Sequence, residues 1–336
     1  MRVVITGASG NLGTALLRRL RADGHELVGV SRRRPPPDVE PYSGVRWYPL
    51  DLGTADAGDQ LADICSGADA LVHLAWLIQP THDRAQLRRA NQGGAQAVAR
   101  AASHVPHLVN VSSIGAYSRA PRGTWVDESW PAGGVASSSY SVDKVAVERT
   151  LEGVTDVVTH VRPTLVLQPD AASEIARYFL GPLVPVSLLN AKLFRFAPWP
   201  RELRLQFVHA DDVAAAVAAS LLVRPAGAVN LATDEVFDRA AIRRLFGGVG
   251  PPLPVGVVRA AATATWRARL QPIDGGWINL ARSVPLLRSD RARTELDWTP
   301  KHSGDATLTE FIEALRQRRG HAGPLLSPRR LIGRAH

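Results

Sequence analysis

Val3-Val4-Ile5-Thr6-Gly7-Ala8-Ser9-Gly10-Asn11-Leu12-Gly13 is an apolar run that breaks into glycines spaced Gly-x-x-Gly-x-x-Gly. It reads as a strand turning into a helix. Glycines allow a tight turn and a close approach of backbone N–H groups to a pyrophosphate, while the helix N-terminus offers a field that favours an anion. Gly7, Ser9, Gly10, Asn11, Leu12 and Gly13 are therefore candidate cofactor contacts. A glycine turn can also merely end a strand, so a second motif has to decide.

That motif is Tyr140-Ser141-Val142-Asp143-Lys144, inside a segment whose apolar positions Val142, Val145, Ala146, Val147 and Leu151 fit a helix. Tyr140 and Lys144 then share one face. A phenol with a pKa of about 10 is a poor proton donor or acceptor at neutral pH, and an ammonium one turn away is expected to lower that value. Upstream, Leu108-Val109-Asn110-Val111-Ser112-Ser113 reads as a buried strand ending in two hydroxyls that could bond the same carbonyl oxygen. The alternative is a surface Tyr and Lys beside a serine-rich turn.

With these segments in view, the chain resembles the extended short-chain dehydrogenase/reductase family, also called the NAD-dependent epimerase/dehydratase family. Asp51-Leu52, His73-Leu74-Ala75, Asn91-Gln92-Gly93, Ser112-Ser113 with Tyr117, Arg162-Pro163, Phe207 to Ala214 and Asp290 to Pro300 carry the likeness over most of the chain. The resemblance implies a Rossmann fold with a smaller C-terminal substrate domain, a nicotinamide cofactor, and Ser113, Tyr140 and Lys144 as catalytic residues. Ser113 is selected over Ser112 by its place four residues before Tyr117. Asn91 is expected to support the lysine through water. Asp51 and Leu52 fall at the adenine edge, and Leu74, Ala75 and Pro163 are further implied cofactor contacts.

The residue that sorts NAD from NADP should close the second strand, where an acid would accept hydrogen bonds from the ribose 2′-hydroxyl. Here that strand ends Gly29-Val30-Ser31-Arg32-Arg33. A small hydroxyl and two guanidinium groups suit a 2′-phosphate, so Ser31, Arg32 and Arg33 point to NADP(H) rather than NAD. An exposed basic loop without a ligand is the bland alternative.

The substrate is less legible. Sugar-nucleotide members of the family commonly show Arg-x-x-Asn-Val-x-Gly-Pro after the active-site helix, whereas this chain has Arg162-Pro163-Thr164-Leu165-Val166-Leu167-Gln168-Pro169. The position of their diphosphate-binding arginine holds Leu205, with Arg204 adjacent. Ile114-Gly115-Ala116 replaces the Thr-Asp-Glu of sugar dehydratases. Trp76-Leu77-Ile78, Tyr178-Phe179-Leu180 and Phe194 through Trp199 are expected to line an apolar pocket, with Trp76, Ser113 and Tyr178 as substrate contacts. These features favour reduction of the carbonyl of an apolar or aromatic small molecule. A sugar-nucleotide epimerase is the alternative within enzymology, and an NADP-binding sensor or scaffold without turnover is the alternative from another class. His209 and Asp212 are read as orienting a domain interface or capping a helix.

Composition agrees with an ordinary globular enzyme: 336 residues, 45% hydrophobic and 21% charged. The 40 basic residues against 31 acidic ones give a net charge of +9, but the arginines are scattered and not interleaved with aromatics, so nucleic acid is not an expected partner. No apolar run approaches the ~20 residues needed to cross a bilayer, and Met1-Arg2 leads straight into the first strand, which predicts a cytoplasmic protein without a membrane partner. Cys65 is alone and reads as a buried thiol. A small-molecule carbonyl or alcohol is the expected substrate partner, and homodimerisation is left open. The α/β alternation predicts a doubly wound, mostly parallel sheet. Residues 1–165 form the NADP-binding domain, with 205–235 returning to it; 166–204 and 236–318 form the substrate domain; 319–336, rich in Gly, Pro, Arg and His, form a basic flexible tail.

Overall fold

In the computed structural model, residues 1–179 and 199–328 are described. Seven parallel strands form the central sheet: β1 (Arg2–Thr6), β2 (Glu26–Ser31), β3 (Arg46–Pro49), β4 (Ala70–His73), β5 (His107–Val111), β6 (Val157–Pro163) and β7 (Gly227–Leu231). Their order is β7-β6-β5-β4-β1-β2-β3. The direction of winding reverses between β1 and β4, and in open parallel sheets the crevice outside the strand ends at that point is where ligands bind. The strands are short continuous apolar runs because helices cover both faces.

Helix α1 (Asn11–Ala22) follows β1 and buries Ala15, Leu16, Leu17 and Leu20. Two glycines allow close backbone approaches at this turn. Gly7 adopts φ +73°, and a Cβ there would lie 2.6 Å from the Ala75 amide nitrogen; a Cβ on Gly13 would lie 2.4 Å from the Ala8 carbonyl oxygen. Helix α2 (Ala57–Cys65) packs against the helical run α3, in which Arg84–Arg88 passes through a π turn at Arg89–Gly93 into Gly94–Ala102. Cys65 is buried, as its sequence context predicts.

Helix α4 (Ser139–Leu151) starts at Ser138, whose side chain accepts from the Ser141 N–H. Its β-branched residues are weak helix formers, and the helix turns Ser141, Asp143, Lys144 and Glu148 inward. Such a polar face is tolerable only because each group is paired. Glu148 accepts from Arg162 Nε at 2.9 Å and Nη2 at 2.6 Å, with both side chains nearly fully buried. The Arg162 guanidinium lies 4.6 Å from the centre of the Tyr117 ring, and the Tyr117 hydroxyl donates to Asn230 on β7.

Beyond β6 come α5 (Ala172–Phe179), a strand at Phe207–His209 paired with Leu165–Leu167, α6 (Ala210–Val223) and α7 (Arg239–Phe246). α8 (Val255–Arg267), α9 (Gly275–Ser283), α10 (Asp290–Leu296) and α11 (Gly304–Arg316) follow. His209 ends the strand and caps α6, its Nδ1 accepting from the Asp211 N–H. Asp212 accepts from the Lys301 and His302 N–H groups and ties α6 to the loop before α11.

The tail departs from expectation. Residues 320–328 lie packed against the sheet domain, with Leu326 fully buried and His321 bonded to the Glu40 carbonyl. Its composition lacks apolar periodicity, but the partners that hold it are side chains far away in sequence. Residues 329–336, with the Arg329-Arg330 cluster, lie outside the described residues. No helix among the described residues is long and apolar enough to cross a membrane.

Removing one partner of a buried ion pair leaves the other charge desolvated. Arg162→Met should therefore destabilise the chain by roughly 3–5 kcal/mol in chemical denaturation. A loss below about 1 kcal/mol would show that the pair does not hold α4 in place.

Candidate active site

The first turn of α1 opens onto the crevice. Its N-cap, Gly10, supplies no side-chain hydrogen bond to the helix, and Asn11, Leu12 and Gly13 of the first turn line a cavity. Uncapped helix N–H groups beside a glycine are what a pyrophosphate requires.

Two connected cavities share Gly7, Ala75, Trp76 and Leu325. The smaller, about 90 Å³, is lined by Ser9, Ser31, Arg32, Arg33, Asp51 and Leu52. Ser31 Oγ donates to the Arg33 carbonyl, which shapes the basic loop. Asp51 accepts from the Gly53 N–H and closes the turn after β3. The larger cavity, about 480 Å³, brings Gly10, Leu74 and Pro163 together with Ser113, Tyr140, Lys144 and Tyr178.

Ser113 follows β5 and its Oγ accepts from the Gly115 N–H at 3.0 Å. Tyr140 enters from the first turn of α4 and is wedged between Trp76, edge-on at 5.6 Å, and Trp277 at 4.7 Å. Burial pushes its phenol up to about 12, opposed only by the Ser113 hydroxyl. Lys144 Nζ donates to the Val111 carbonyl at 3.1 Å and sits 3.7 Å from the centre of the Trp76 ring. Burial brings its ammonium down to about 7, with Glu148 opposing.

Two expectations need correction. Lys144 does not lower the pKa of Tyr140 in this arrangement: the phenol answers to burial and Ser113 alone, and Nζ lies 5.9 Å from the Tyr140 ring centre with the Trp76 indole close by. The Asn91 side chain is taken up by the backbone of Leu77. Its amide accepts from the Leu77 N–H at 2.8 Å and donates to the Leu77 carbonyl at 2.9 Å, which fixes the loop carrying Trp76. Trp199 packs with the Phe207–Phe237 cluster rather than in the cavity; Leu180 and Phe194 through Pro198 lie outside the described residues.

Four contributors were not foreseen. Trp277, from α9, stacks beside Tyr140. Pro324 and Leu325 of the tail line the smaller cavity. Glu174, on α5, is the single acidic side chain among the described residues of the larger cavity. Burial pushes Glu174 up to about 7, while the Tyr178 hydroxyl and Arg177 oppose the shift. The i, i+4 spacing of Glu174 and Tyr178 was the one sequence signal for that pair. Arg204 also reaches the cavity, where its Nε is buried without a hydrogen-bond partner.

A doubly wound sheet with an anion-ready turn and a Ser-Tyr-Lys set at the switch point defines a nucleotide-dependent α/β protein. A model of the NAD dependent epimerase/dehydratase family matches residues 3–232, and the chain belongs to that family. It is 27% identical over 329 residues to an uncharacterised protein of Mycobacterium tuberculosis (strain ATCC 25618 / H37Rv), which covers 95% of this chain but 31% of the relative. The chain thus spans about a third of the length of that relative. A 4-hydroxy-2-methyl-3-oxo-4-farnesyl-3,4-dihydroquinoline-1-oxide ketoreductase of Stigmatella aurantiaca is 29% identical over 352 residues, covering 98% of this chain and 100% of the relative. The fold is shared with the Bordetella bronchiseptica enzyme WbmG in complex with NAD, TM-score 0.66 at 21% identity over 94% of each chain. It is shared equally with the human epimerase family protein SDR39U1 with NADPH, TM-score 0.67 at 21% identity over 93% of this chain and 99% of the other.

Glu174 offers a test of the cavity's polarity. Its folded pKa is raised above the unfolded value, so the favourable contribution is complete below about pH 4.5 and is lost as pH rises through about 7. Glu174→Gln should gain roughly 1–3 kcal/mol over the parent at pH 8 and almost nothing at pH 5, read by thermal melting at both. Equal gains at the two pH values would mean that the carboxyl is not desolvated.

Proposed function

We propose that this chain is an NADP(H)-dependent reductase of the extended short-chain type that reduces the carbonyl of an apolar or aromatic small molecule. One observation carries the reading: Ser113, Tyr140 and Lys144 meet where the nucleotide crevice opens into a cavity whose other walls are dominated by apolar and aromatic residues, among them Trp76, Phe179, Trp277 and Leu280. Such a pocket takes up an apolar carbonyl compound at little desolvation cost. The Stigmatella relative, a ketoreductase by name, points in the same direction.

The glycine turn and the first turn of α1 would hold the pyrophosphate, and the nicotinamide would supply the hydride. Tyr140 donates the proton to the carbonyl oxygen; a phenol at about 12 keeps its proton at neutral pH, which suits the reductive direction. Ser113 orients the same oxygen. Among the described residues Lys144 has the Val111 carbonyl as its hydrogen-bond acceptor, which leaves donors for a ribose hydroxyl. Arg32 and Arg33 flank the smaller cavity with no acid at the end of β2, and this favours a 2′-phosphate. A chain of this composition without a membrane-spanning helix among its described residues fits a cytoplasmic location.

A second reading has one observation in its favour. Arg204 projects to the larger cavity with an unpartnered buried nitrogen, and a guanidinium so placed would suit the diphosphate of a sugar nucleotide. An epimerase regenerates its cofactor each cycle and would retain it through dialysis without consuming NADPH; the reductase is expected to lose it and to consume NADPH on a carbonyl panel.

NADPH should bind at least about tenfold more tightly than NADH in calorimetric titration, a difference of roughly 1.4 kcal/mol. Changing Arg32 and Arg33 together to Ala should erase most of that difference. Equal affinities in the parent would overturn the NADP assignment.

Tyr140→Phe should keep NADPH affinity within a few-fold and lower turnover of the best panel substrate by about 10² or more. Lys144→Ala should weaken both. Parent-like turnover in Tyr140→Phe would remove the phenol from the chemistry and favour a nucleotide-binding role without reduction.

A further inference from the structure

We propose that residues 320–328 complete the cofactor site as a strap that forms a third wall over the adenosine half of the crevice and slows nucleotide release. The proposal rests on the reading of that crevice as an NAD(P) site. After α11, the chain does not leave the molecule but crosses between the two walls of the crevice. On the substrate side, the Ser173 N–H and Oγ donate to the Arg319 carbonyl, and the Arg177 guanidinium donates to the carbonyls of Leu325 and Ser327. On the nucleotide side, Arg33 Nη2 donates to the Pro324 carbonyl at 3.3 Å. His321 meets the Glu40 carbonyl at 2.7 Å and the Tyr42 ring edge-on at 5.2 Å.

The segment is also closed on itself. The His321 N–H donates to the Leu326 carbonyl, and the Ser327 N–H donates to the Gly323 carbonyl. Leu326 is the fully buried anchor. This folding leaves Leu325 pointing at the phosphate turn, with Cδ1 3.9 Å from where a Cβ on Gly10 would stand. Pro324 and Leu325 thereby line the smaller cavity together with Asp51 and Arg32, and Leu325 reaches the larger one as well. A nucleotide held by the glycine turn and the basic loop would have Leu325 against it. Leaving would require the strap to give up the contacts to Arg33 and Arg177, which are main-chain hydrogen bonds to charged donors.

The test follows release of bound NADPH, or of NADH if it is the tighter ligand, by stopped-flow fluorescence after mixing with excess oxidised cofactor. A chain ending at Arg319 should release the cofactor at least tenfold faster than the full chain, and a chain ending at Pro328 should match the full chain. The double variant Leu325→Ser/Leu326→Ser should follow the shorter chain. In the full chain, bound cofactor should slow hydrogen exchange of the amides at 321–327, a measurement that needs no variant. Equal release rates in the chain ending at Arg319 and the full chain, or exchange at 321–327 that is indifferent to cofactor, would overturn the strap. Failure of the full chain to bind either cofactor would instead overturn the nucleotide reading on which it rests.

Discussion

The ion pair between Glu148 and Arg162 is the constraint on which the rest of the interior depends. α4 can present Tyr140 and Lys144 to the crevice only by turning a polar face inward, and that face has to be neutralised where it meets the sheet. A guanidinium does so economically because its planar fork satisfies both carboxylate oxygens while its flat face covers Tyr117. Tyr117 in turn bonds Asn230 on β7, whose N–H reaches Glu128. One buried pair therefore links β6, α4, the turn after Ser113 and the far edge strand. Glu148 also lies one turn beyond Lys144 and opposes the loss of its proton.

The two ends of the crevice are physically unlike. At the smaller cavity the wall is partly exposed and carries Arg32 and Arg33 together with Asp51. At the larger, aromatic rings enclose the titratable groups, so desolvation dominates: the phenol moves up, the ammonium moves down and the Glu174 carboxyl moves up. Each shift disfavours charge, as expected of groups taken from water without a nearby counter-ion strong enough to compensate. Trp76 is the joint between the two ends, its indole resting on the lysine and its loop pinned by Asn91.

Elements with regular periodicity were legible from the residues alone. α1 starts within the glycine run, β2 closes at Ser31, and β5 leads into Ser112 and Ser113 as its sequence suggests. The tail was not legible, because its order comes from Arg33, Arg177 and Tyr42 rather than from its own side chains. The side-chain partners of Asn91 were illegible for a related reason: its buried amide bonds the Leu77 backbone, beside a π turn at Arg89–Gly93 that leaves no mark in the sequence.

The sequence by itself determined the parts governed by local physics. These are the glycine turn, whose backbone path only residues without a Cβ can follow; the single-face placement of Tyr140 and Lys144, set by the helical repeat; and the lack of an acid at the end of β2. Tertiary structure decided what depends on distant groups meeting. It brought Trp76 against Lys144, Trp277 against Tyr140 and Glu174 into an apolar wall, and it folded residues 320–328 across the crevice. Protonation state belongs to that second class, because it is set by how much water the surrounding chain excludes, and no spacing along the sequence records that.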